Sequence, residues 1–318
     1  MANLFSEEIE FEAITRIKKF SKLAKSMNME VAVGFSGGKD SLVVYHLCKR
    51  AEIDCKFYFN HALEDTTTMQ YIKSFGDVIR RRVAVGFFEH LQKNINGLLP
   101  TPTTAWCCET YKHNPKFIDG CVILGVRKVE SAKRKERKVF EAKNKTFLKK
   151  NKALIDEYFS VGCQGSTSNH KISLMPIVDW SDDDVWQYIK KYNLRINPLY
   201  EQGFHRVGCM ICPKANFTRN FEMLMKYPKL VNCVIGARER SNGNIDWRIT
   251  GDDKDYSNDK VYYICRWLNH GFMPFSEKQE KLYQQFREKY EKTTIHSTNR
   301  SSSETSTSNT SASAQGDD

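Results

Sequence analysis

The chain has 318 residues, of which 40% are hydrophobic and 27% charged, and its formal net charge at pH 7 is +11. This length suits one large domain with an appendage, or two domains. No apolar run approaches the roughly 20 residues that span a bilayer, and the N-terminus lacks a basic segment followed by an apolar one. We therefore expect a cytoplasmic protein with no membrane partner, whose basic surface fits nucleotides, acidic substrates or nucleic acid.

Strands and helices are predicted to alternate along the first two thirds of the chain. The pattern begins with an amphipathic helix over residues 5–25. The predicted strands are Val31–Val33, Lys56–Phe59, Arg82–Val85, Cys121–Gly125 and Lys171–Met175, and helices are predicted after Gly38, through Tyr71 and Phe75, and from Phe87 to Ile95. This alternation predicts an α/β fold, a Rossmann-like parallel sheet with helices on both faces, which binds ligands at the carboxyl ends of its strands.

The remaining segments set the expected domain boundaries. Ser181 is a good helix N-cap, and we interpret the three acids after it, Asp182 to Asp184, as helix capping. The sequence predicts an N-terminal helix (1–27), a nucleotide domain (28–215) with a basic insertion (132–170), a smaller, mainly helical C-terminal region (216–292) and a disordered Ser/Thr-rich tail (293–318).

Residues 34–41 carry the clearest chemistry, and they read Gly-Phe-Ser-Gly-Gly-Lys-Asp-Ser. Gly37 and Gly38 allow positive φ and let backbone N–H groups approach an anion, and the following helix adds the positive end of its dipole. Ser36 and Ser41 offer further hydrogen-bond donors, Lys39 offers a point charge, and Asp40 is a possible ligand for a hydrated metal ion. The spacing matches neither the NTPase loop nor the dinucleotide fingerprint. The residues of the loop together predict a site for phosphate or pyrophosphate.

Cysteine placement gives a second indication of chemistry. Cys107 and Cys108 are adjacent, and Cys209 and Cys212 form a C-x-x-C pair. Two such pairs can supply four thiolates to one metal centre, although a C-x-x-C can also be a redox pair and adjacent cysteines can be merely buried. The other six cysteines are interpreted as core thiols, and they are Cys48, Cys55, Cys121, Cys163, Cys233 and Cys265.

These motifs resemble a known family. The run S-G-G-x-D-S at 36–41 is similar to the loop of the PP-loop superfamily, the adenine-nucleotide alpha hydrolases. Further segments resemble the phosphoadenosine phosphosulfate (PAPS) reductase family over about residues 28–215, in the order Gly125–Ser131, Met175–Trp180, Asp184–Ile189, Asn197–Gly203 and Arg206–Cys209. The likeness is greatest to members with a four-cysteine [4Fe–4S] site, such as assimilatory adenylyl-sulfate reductases.

The resemblance implies roles for particular residues. Ser36, Gly37, Gly38, Lys39, Asp40 and Ser41 would hold an adenine nucleotide, either a sulfonucleotide or ATP, with Mg²⁺ on Asp40 if it is ATP. Arg127 would contact the bound anion. Cys107, Cys108, Cys209 and Cys212 would bind a [4Fe–4S] cluster, with zinc as the alternative, and Lys112 would lie between cluster and substrate. An electron donor or sulfur carrier would be a partner.

The sequence differs from the family's reductases at one point, and this difference bears on which of the implied functions we expect. Sulfonucleotide reductases of this family use a C-terminal cysteine nucleophile in an E-C-G-L-H segment, whereas the last cysteine here is Cys265, in an unrelated context. We expect a sulfur-metabolism enzyme, either an oxidoreductase that reduces a sulfonucleotide or a transferase that cleaves ATP between its α- and β-phosphates to activate a sulfur acceptor. The alternative is a nucleotide-binding accessory subunit of a nucleic-acid sulfur-modification system.

The basic insertion allows two interpretations. It carries Lys133 to Lys138, with one glutamate, and then Lys149 to Lys152. A solvated helix or mobile loop is the simpler interpretation. The functional one is an electrostatic contact with the phosphates of a nucleic acid, without strong base stacking because aromatic residues are few.

Overall fold

The computed structural model describes residues 7–113, 120–142, 145–159, 162–163, 172–252 and 254–304. Within these residues the strands are β1 (Val31–Gly34), β2 (Lys56–His61), β3 (Val78–Arg82), β4 (Cys121–Ile123), β5 (Phe140–Ala142), β6 (Gly162–Cys163) and β7 (Ile172–Leu174). The α-helices are α1 (Glu7–Ser26), α2 (Lys39–Arg50), α3 (Thr66–Lys73), α4 (Phe87–Lys93), α5 (Lys145–Asp156), α6 (Asp182–Lys191), α7 (Pro198–Glu201), α8 (Phe217–Lys226), α9 (Leu230–Glu239), α10 (Lys260–Leu268) and α11 (Glu277–Glu304). None of these helices is both long and apolar enough to cross a membrane.

The chain divides into two compact units. The first contains residues 1–84 and 106–209, and the second contains residues 85–105 and 210–318. This division differs from the predicted boundaries, because residues 85–105 belong to the second unit and the predicted tail, from residue 293, begins inside α11. Residues 305–318 lie outside the described residues. The predicted domain boundaries therefore stay a prediction.

A single sheet organises the first unit. Among the described residues its strand order is β3-β2-β1-β4-β7-β5-β6. β1, β2, β3, β4 and β7 are mutually parallel, whereas β5 is antiparallel to β7. The predicted α/β class with a mostly parallel sheet, helices and a helical C-terminal region is confirmed. The order reverses at β1, because β2 lies on one side of it and β4 on the other, and such a point is where ligands bind in open α/β sheets.

One strand prediction and the interpretation of the basic insertion need correction. The third strand is Val78–Arg82, not Arg82–Val85, because β3 is an edge strand and tolerates three consecutive arginines that an apolar-pattern search rejects. The basic insertion is also not merely a loop or solvated helix, since it contributes β5 and α5 and, at 162–163, β6.

The core of the first unit covers one face of the sheet. Helix α1 buries Ala13, Ile17, Phe20 and Leu23, three or four residues apart, against that face. α2 and α6 join the same core through residues such as Val43. Ala32, Tyr58 and Val122 form a smaller group on the other side of the strands.

The second unit is helical. Its buried side chains include Phe221, Val234, Trp267 and Phe286. Segment 85–105 is joined to these helices by hydrogen bonds, since Trp267 Nε1 donates to the Pro100 carbonyl at 2.6 Å.

Candidate functional site

The turn between β1 and α2, residues 35–38, forms the anion loop predicted from the sequence. Phe35 N donates to the Tyr58 carbonyl at 2.9 Å, which extends the pairing of β1 with β2 up to the turn. Gly37 has φ +78°, and a Cβ there would lie 2.9 Å from Ile72 Cδ1 of α3. The backbone conformation therefore favours glycine at this position, and a Cβ would in addition require the Ile72 side chain to shift.

Two serine side chains hold the anion loop in shape. Ser36 N donates to Ser41 Oγ at 3.1 Å, and the two hydroxyl oxygens lie 3.0 Å apart. Ser41, which is buried, also donates to the Gly38 carbonyl at 2.8 Å. The loop is thus held in shape by its own side chains, and such preorganisation reduces the entropy lost on binding.

Gly125 brings the segment after β4 against the anion loop. A Cβ at Gly125 would lie 2.8 Å from the Asp40 carbonyl oxygen and 2.9 Å from Ser41 N. These are backbone atoms of the first turn of α2, so they cannot move aside as a flexible side chain would. The absence of a side chain at Gly125 lets Arg127, two residues later, reach Asp40.

Four charged side chains form a network beside the loop, which we call the charge network: Lys39, Asp40, Arg127 and Asp182. Arg127 is 1% exposed, and it donates from Nε to Asp40 Oδ1 at 2.5 Å and from Nη2 to Asp182 Oδ1 at 2.8 Å. Lys39 Nζ lies 3.1 Å from Asp40 Oδ2 and 3.1 Å from Asp182 Oδ1. Two cations and two carboxylates are therefore matched within the network.

The charge network favours the ionised forms of Arg127 and Asp182. Burial alone would lower the pKa of Arg127, but Asp40 and Asp182 outweigh it and raise that pKa. Burial would raise the pKa of Asp182, but hydrogen bonds from Arg127 and Lys39 outweigh it and lower that pKa. The Asp182 carboxylate therefore remains available as an anionic ligand near neutral pH.

Asn197 and Tyr200, from the segment that contains α7, also contact the anion loop. Asn197 is buried, and its Nδ2 lies 3.4 Å from the Gly37 carbonyl and 3.2 Å from Thr68 Oγ1. Tyr200 accepts a hydrogen bond from Lys39 N at 2.9 Å. The loop is thus supported from α3 and α7 as well as by its own serines.

A second group, which we call the thiol group, consists of Glu64, Cys108, Lys112 and Cys209. Cys108 and Lys112 are the two ends of one π-helical turn, Cys108–Lys112, and such turns are frequent at functional sites. This turn is fixed to β2 because Asn60 Nδ2 donates to the Lys112 carbonyl at 3.0 Å. Cys209 Sγ lies 3.9 Å from Glu64 Oε1.

Lys112 is half-buried and lies among these groups. Its pKa is raised, with the charge of Cys209 as the largest cause, followed by burial, which opposes the shift, and by Glu64 and Cys108, which reinforce it. A hydrogen bond between Lys112 and Cys209 acts in the same direction. Cys108 and Cys209, which lie far apart in the sequence, thus both act on one ammonium group.

The thiol group fits the donor chemistry of a thiolate-bound metal centre but is not an assembled one. Thiolates are the ligands of iron–sulfur clusters and of structural zinc. Within the described residues, however, no three side chains of His, Cys, Asp or Glu are grouped so that they could hold a metal ion. Cys107 directly precedes the π-helical turn, and Cys212 follows Cys209 by three residues but belongs to the second unit.

The sequence model of the phosphoadenosine phosphosulfate reductase domain matches residues 30–215. The chain belongs to this family. The match includes the anion loop, the charge network and the thiol group, and it confirms the resemblance drawn from the motifs.

Several proteins of known sequence are similar to this chain. An uncharacterized protein of Methanocaldococcus jannaschii is 30% identical over 245 residues, which are 74% of this chain and 54% of that protein. Subunit 2 of the sulfate adenylyltransferase of Parabacteroides distasonis is 26% identical, over 61% of this chain and 66% of the subunit. The chain thus spans only about half the length of the first of these relatives.

Two solved structures are also similar. The PAPS reductase of Candida auris is 14% identical with a TM-score of 0.42, and the comparison covers 61% of this chain and 87% of the reductase. The U34-tRNA thiolase NcsA of Methanococcus maripaludis, solved with its [4Fe–4S] cluster, is 19% identical with a TM-score of 0.36, over 85% of this chain and 92% of the thiolase.

The predicted site residues fall into the two groups described above. The loop residues Ser36 to Ser41 and Arg127 lie together in the PAPS reductase domain, and Lys112 lies with Cys108 and Cys209. Arg127 is held by the carboxylates of Asp40 and Asp182, and its contact with a bound anion stays a prediction. So do the ligand roles of the four paired cysteines.

The other cysteines differ from the predicted core thiols in part. Cys48, Cys121 and Cys265 are buried, Cys55 is half-buried, and Cys233 is exposed, so the prediction is wrong for Cys233. Burial raises the pKa of the Cys265 thiol, which makes it a poor nucleophile.

Sequence reasoning missed four residues of the site. Asp182 was assigned to helix capping, but Ser181 and Asp184 form the capping box by themselves, which leaves Asp182 to pair with Arg127 and Lys39. Asn197, Tyr200 and Glu64 carried no charge pattern or motif that marked them individually. The surplus of acids behind Ser181 was the one local sign, because a capping box needs only one of them.

Proposed function

We propose that this PAPS reductase-family chain binds Mg·ATP at the anion loop and cleaves it between the α- and β-phosphates to activate an acceptor for sulfur. The observation that carries the proposal is the charge network. Its two cations are already matched by Asp40 and Asp182, so the side chains offer no net positive charge to a metal-free sulfonucleotide. Mg·ATP brings its own divalent cation, which these carboxylates are suited to bind.

The residues have distinct roles in this reaction. Backbone N–H groups of the anion loop and the N-terminus of α2 bind phosphate oxygens. Asp40 and Asp182 hold hydrated Mg²⁺, and Lys39 and Arg127 then stabilise the charge that develops on the leaving pyrophosphate. A nucleophilic atom of the acceptor bonds to the α-phosphorus, and the bond from that phosphorus to the oxygen bridging to the β-phosphate breaks. AMP remains on the acceptor, and pyrophosphate leaves with the magnesium.

An Asp182 variant with a matched control tests this reaction. We expect Asp182→Asn to lower Mg²⁺-dependent ATP–pyrophosphate exchange by about 10- to 100-fold, as loss of a group that supports a metal site does. Asp183→Asn makes the same change of charge at the next residue, which is also exposed in the first turn of α6, and should exchange like the wild type.

Three outcomes would contradict the proposal. Sulfite release from adenylyl sulfate or from its 3′-phosphorylated form assigns the chain to sulfonucleotide reduction. Nucleotide binding without exchange or pyrophosphate release, with any candidate acceptor, assigns it the accessory role. If the Asp182 and Asp183 variants catalyse ATP–pyrophosphate exchange equally well, the charge network has no role in the mechanism.

We further propose that Cys107, Cys108, Cys209 and Cys212 bind a [4Fe–4S] cluster. Its support is that Cys209 hydrogen-bonds to the half-buried Lys112 and that the charge of Cys108 acts on the same ammonium group. Such a cluster would supply a Lewis-acidic or electron-transferring iron site for sulfur, and an electron donor or sulfur carrier would then be a partner. Lys112 would neutralise part of the thiolate charge and keep it from the solvent.

Metal analysis tests the cluster. Anaerobically purified protein should contain iron and acid-labile sulfide, and Cys209→Ser should lose both. Cys233→Ser, a change at an exposed cysteine of the second unit, should retain them. Colourless wild-type protein with stoichiometric zinc would instead establish the zinc alternative.

The basic insertion supports nucleic acid as the acceptor. Helix α5 exposes Lys149, Lys150 and Lys152, and the second half of α1 exposes four further lysines, Lys18, Lys19, Lys22 and Lys25. The two helices share one core, where Phe20 of α1 contacts Phe159, just after α5, with ring centroids 6.3 Å apart. The apolar faces of both helices are buried there, so the lysines are presented for charge contacts rather than for insertion into a membrane.

Salt dependence tests this surface. The logarithm of the affinity for DNA or RNA should fall linearly with the logarithm of salt concentration, with a slope of about −0.7 to −0.9 per phosphate contacted. Replacing Lys149 and Lys150 by glutamate should flatten the slope, whereas the same change at the exposed Lys278 and Lys281 of α11 should not. A slope that is flat in the wild type would reject nucleic acid binding.

A further inference from the structure

Strand β3 carries three consecutive arginines, Arg80, Arg81 and Arg82, at one edge of the sheet. Among the described residues no strand pairs with its outer side. Arg80 and Arg82 are exposed, whereas Arg81 is half-buried, with its guanidinium carbon 3.5 Å from the centre of the Tyr58 ring. Neither the anion loop, the charge network nor the thiol group includes these arginines.

Arg80 and Arg82 are not matched by carboxylates. In the part of the chain that the structure describes, neither side chain forms an ion pair. Asp77, shortly before Arg80 in the chain, has other partners, since it pairs with Lys49 and accepts a hydrogen bond from the Tyr45 hydroxyl at 2.9 Å. Alternate residues of a strand share one face, so Arg80 and Arg82 place two like charges side by side. Their mutual repulsion favours a bound anion.

The arginines lie beside the part of β2 that supports the thiol group. Asn60, which hydrogen-bonds to the π-helical turn of that group, is paired with Arg81. His61, whose Nε2 lies 3.8 Å from Glu64 Oε2, is paired with Arg82. Neighbouring strands are about 4.8 Å apart, so a ligand bound along β3 lies one strand away from residues that contact the thiol group.

We infer that Arg80 and Arg82 bind the sugar–phosphate backbone of the acceptor nucleic acid and hold it beside the thiol group. This inference rests on the proposed function, in which a nucleic acid accepts the sulfur. A guanidinium group is always charged, and its planar fork of donors matches the oxygens of a phosphate. Charges in a row along an extended strand fit the repeating phosphates of a polynucleotide. Helix α5 contacts β5, near the opposite end of the strand order, so this surface is distinct from the lysines of α5.

Salt dependence in a double variant tests the binding role. Single-stranded RNA and DNA of one mixed sequence are titrated by fluorescence anisotropy at several salt concentrations, and the tighter ligand is used. Each phosphate contact of a single strand adds about 0.7 to the slope of log affinity against log salt concentration. Arg80→Gln with Arg82→Gln should therefore make the slope shallower by about 1.4. Lys278→Gln with Lys281→Gln, which removes the same charge from exposed positions of α11, should leave the slope unchanged.

Protection of the sheet edge is the alternative role of these arginines, because charged side chains keep an edge strand from pairing with another chain. Sedimentation velocity of the glutamine variant measures that role. A variant that binds with the slope of the wild type overturns the inference, and if it also self-associates, the arginines protect the edge. Arg80→Lys with Arg82→Lys keeps both charges and should bind with a slope close to that of the wild type.

Photo-cross-linking of the wild type locates the nucleic acid without any substitution. The same oligonucleotide, carrying a photoreactive thio-base, is irradiated with the protein, and cross-linked peptides are identified by mass spectrometry. We expect cross-links in the peptides that contain β3 or the neighbouring π-helical turn. Cross-links confined to α1 and α5 overturn the inference but leave nucleic acid as the acceptor. A wild type that binds neither oligonucleotide overturns both, whereas ATP–pyrophosphate exchange still decides the reaction at the anion loop.

Discussion

Replacing Arg127 by methionine should destabilise the first unit strongly. Arg127 is 1% exposed and bonded to two carboxylates, and breaking a buried ion pair by removing one partner costs about 3–5 kcal/mol. Two features reduce this cost: Lys39 remains 3.1 Å from Asp40, and the Asp182 side chain is 65% exposed and can be solvated. We therefore expect a loss near the lower end, about 3 kcal/mol.

Urea unfolding followed by far-UV circular dichroism measures this loss. With a slope of about 2–3 kcal/mol per molar urea, the midpoint of Arg127→Met should fall by about 1–1.5 M. Hydrogen exchange of peptides from α2 should accelerate in the same variant, which assigns the loss to the first unit.

A neighbouring pair provides the control. Lys128, one residue away, pairs with Asp179 at 2.5 Å, but both side chains are more than 40% exposed. Lys128→Met should therefore cost only about 0–1 kcal/mol. Adding Asp40→Asn to Arg127→Met should recover part of the stability, because it removes the carboxylate left without its guanidinium partner. A midpoint for Arg127→Met equal to that of Lys128→Met would refute the reasoning.

Three further predictions follow from the same contacts. Gly125→Ala places a Cβ within 3 Å of the α2 backbone. It should lower the free energy of unfolding in urea by about 1–3 kcal/mol and weaken the binding of Mg·ATP. Gly76→Ala, where a Cβ would have nothing within 4 Å, should have neither effect. Burial lowers the pKa of His46, whose Nδ1 lies 2.8 Å from the Tyr188 hydroxyl. The unfolded chain therefore binds more protons than the folded one, so the free energy of unfolding falls as pH drops below about 6.5. His46→Gln should reduce the difference in urea midpoint between about pH 7.5 and about pH 5.5. Asn197→Ala should cost about 1–3 kcal/mol by leaving buried partners unsatisfied, measured by thermal unfolding, and an unchanged transition would contradict the support of the loop by α7.

The anion loop could be predicted from the sequence because all its determinants are local. An apolar strand, two glycines and a helix start are adjacent in the chain, and their physics does not depend on distant partners. The position of β3 could not be predicted in the same way, since its three arginines are tolerated only because it lies at the edge of the sheet. That location is a property of the whole topology.

The charge network shows a similar division. Lys39, Asp40 and Arg127 were identified because they lie within motifs, whereas Asp182 looked like one of three capping acids. Its role becomes visible only when the space left by Gly125 brings Arg127 toward α2, and Asp182 joins the two cations there. Local capping explained Asp184 correctly and so concealed the different role of its neighbour.

Strand β5 limits how the lysine-rich segment can be altered. The segment forms part of the sheet, because Phe140, Glu141 and Ala142 of β5 pair antiparallel with Leu174, Ser173 and Ile172 of β7. Excising it would make β7 an edge strand, whose unpaired N–H and C=O groups can pair with another copy of the chain. A truncated protein that precipitates would therefore report a damaged sheet, and the partner of this segment has to be sought with substitutions that leave the backbone intact.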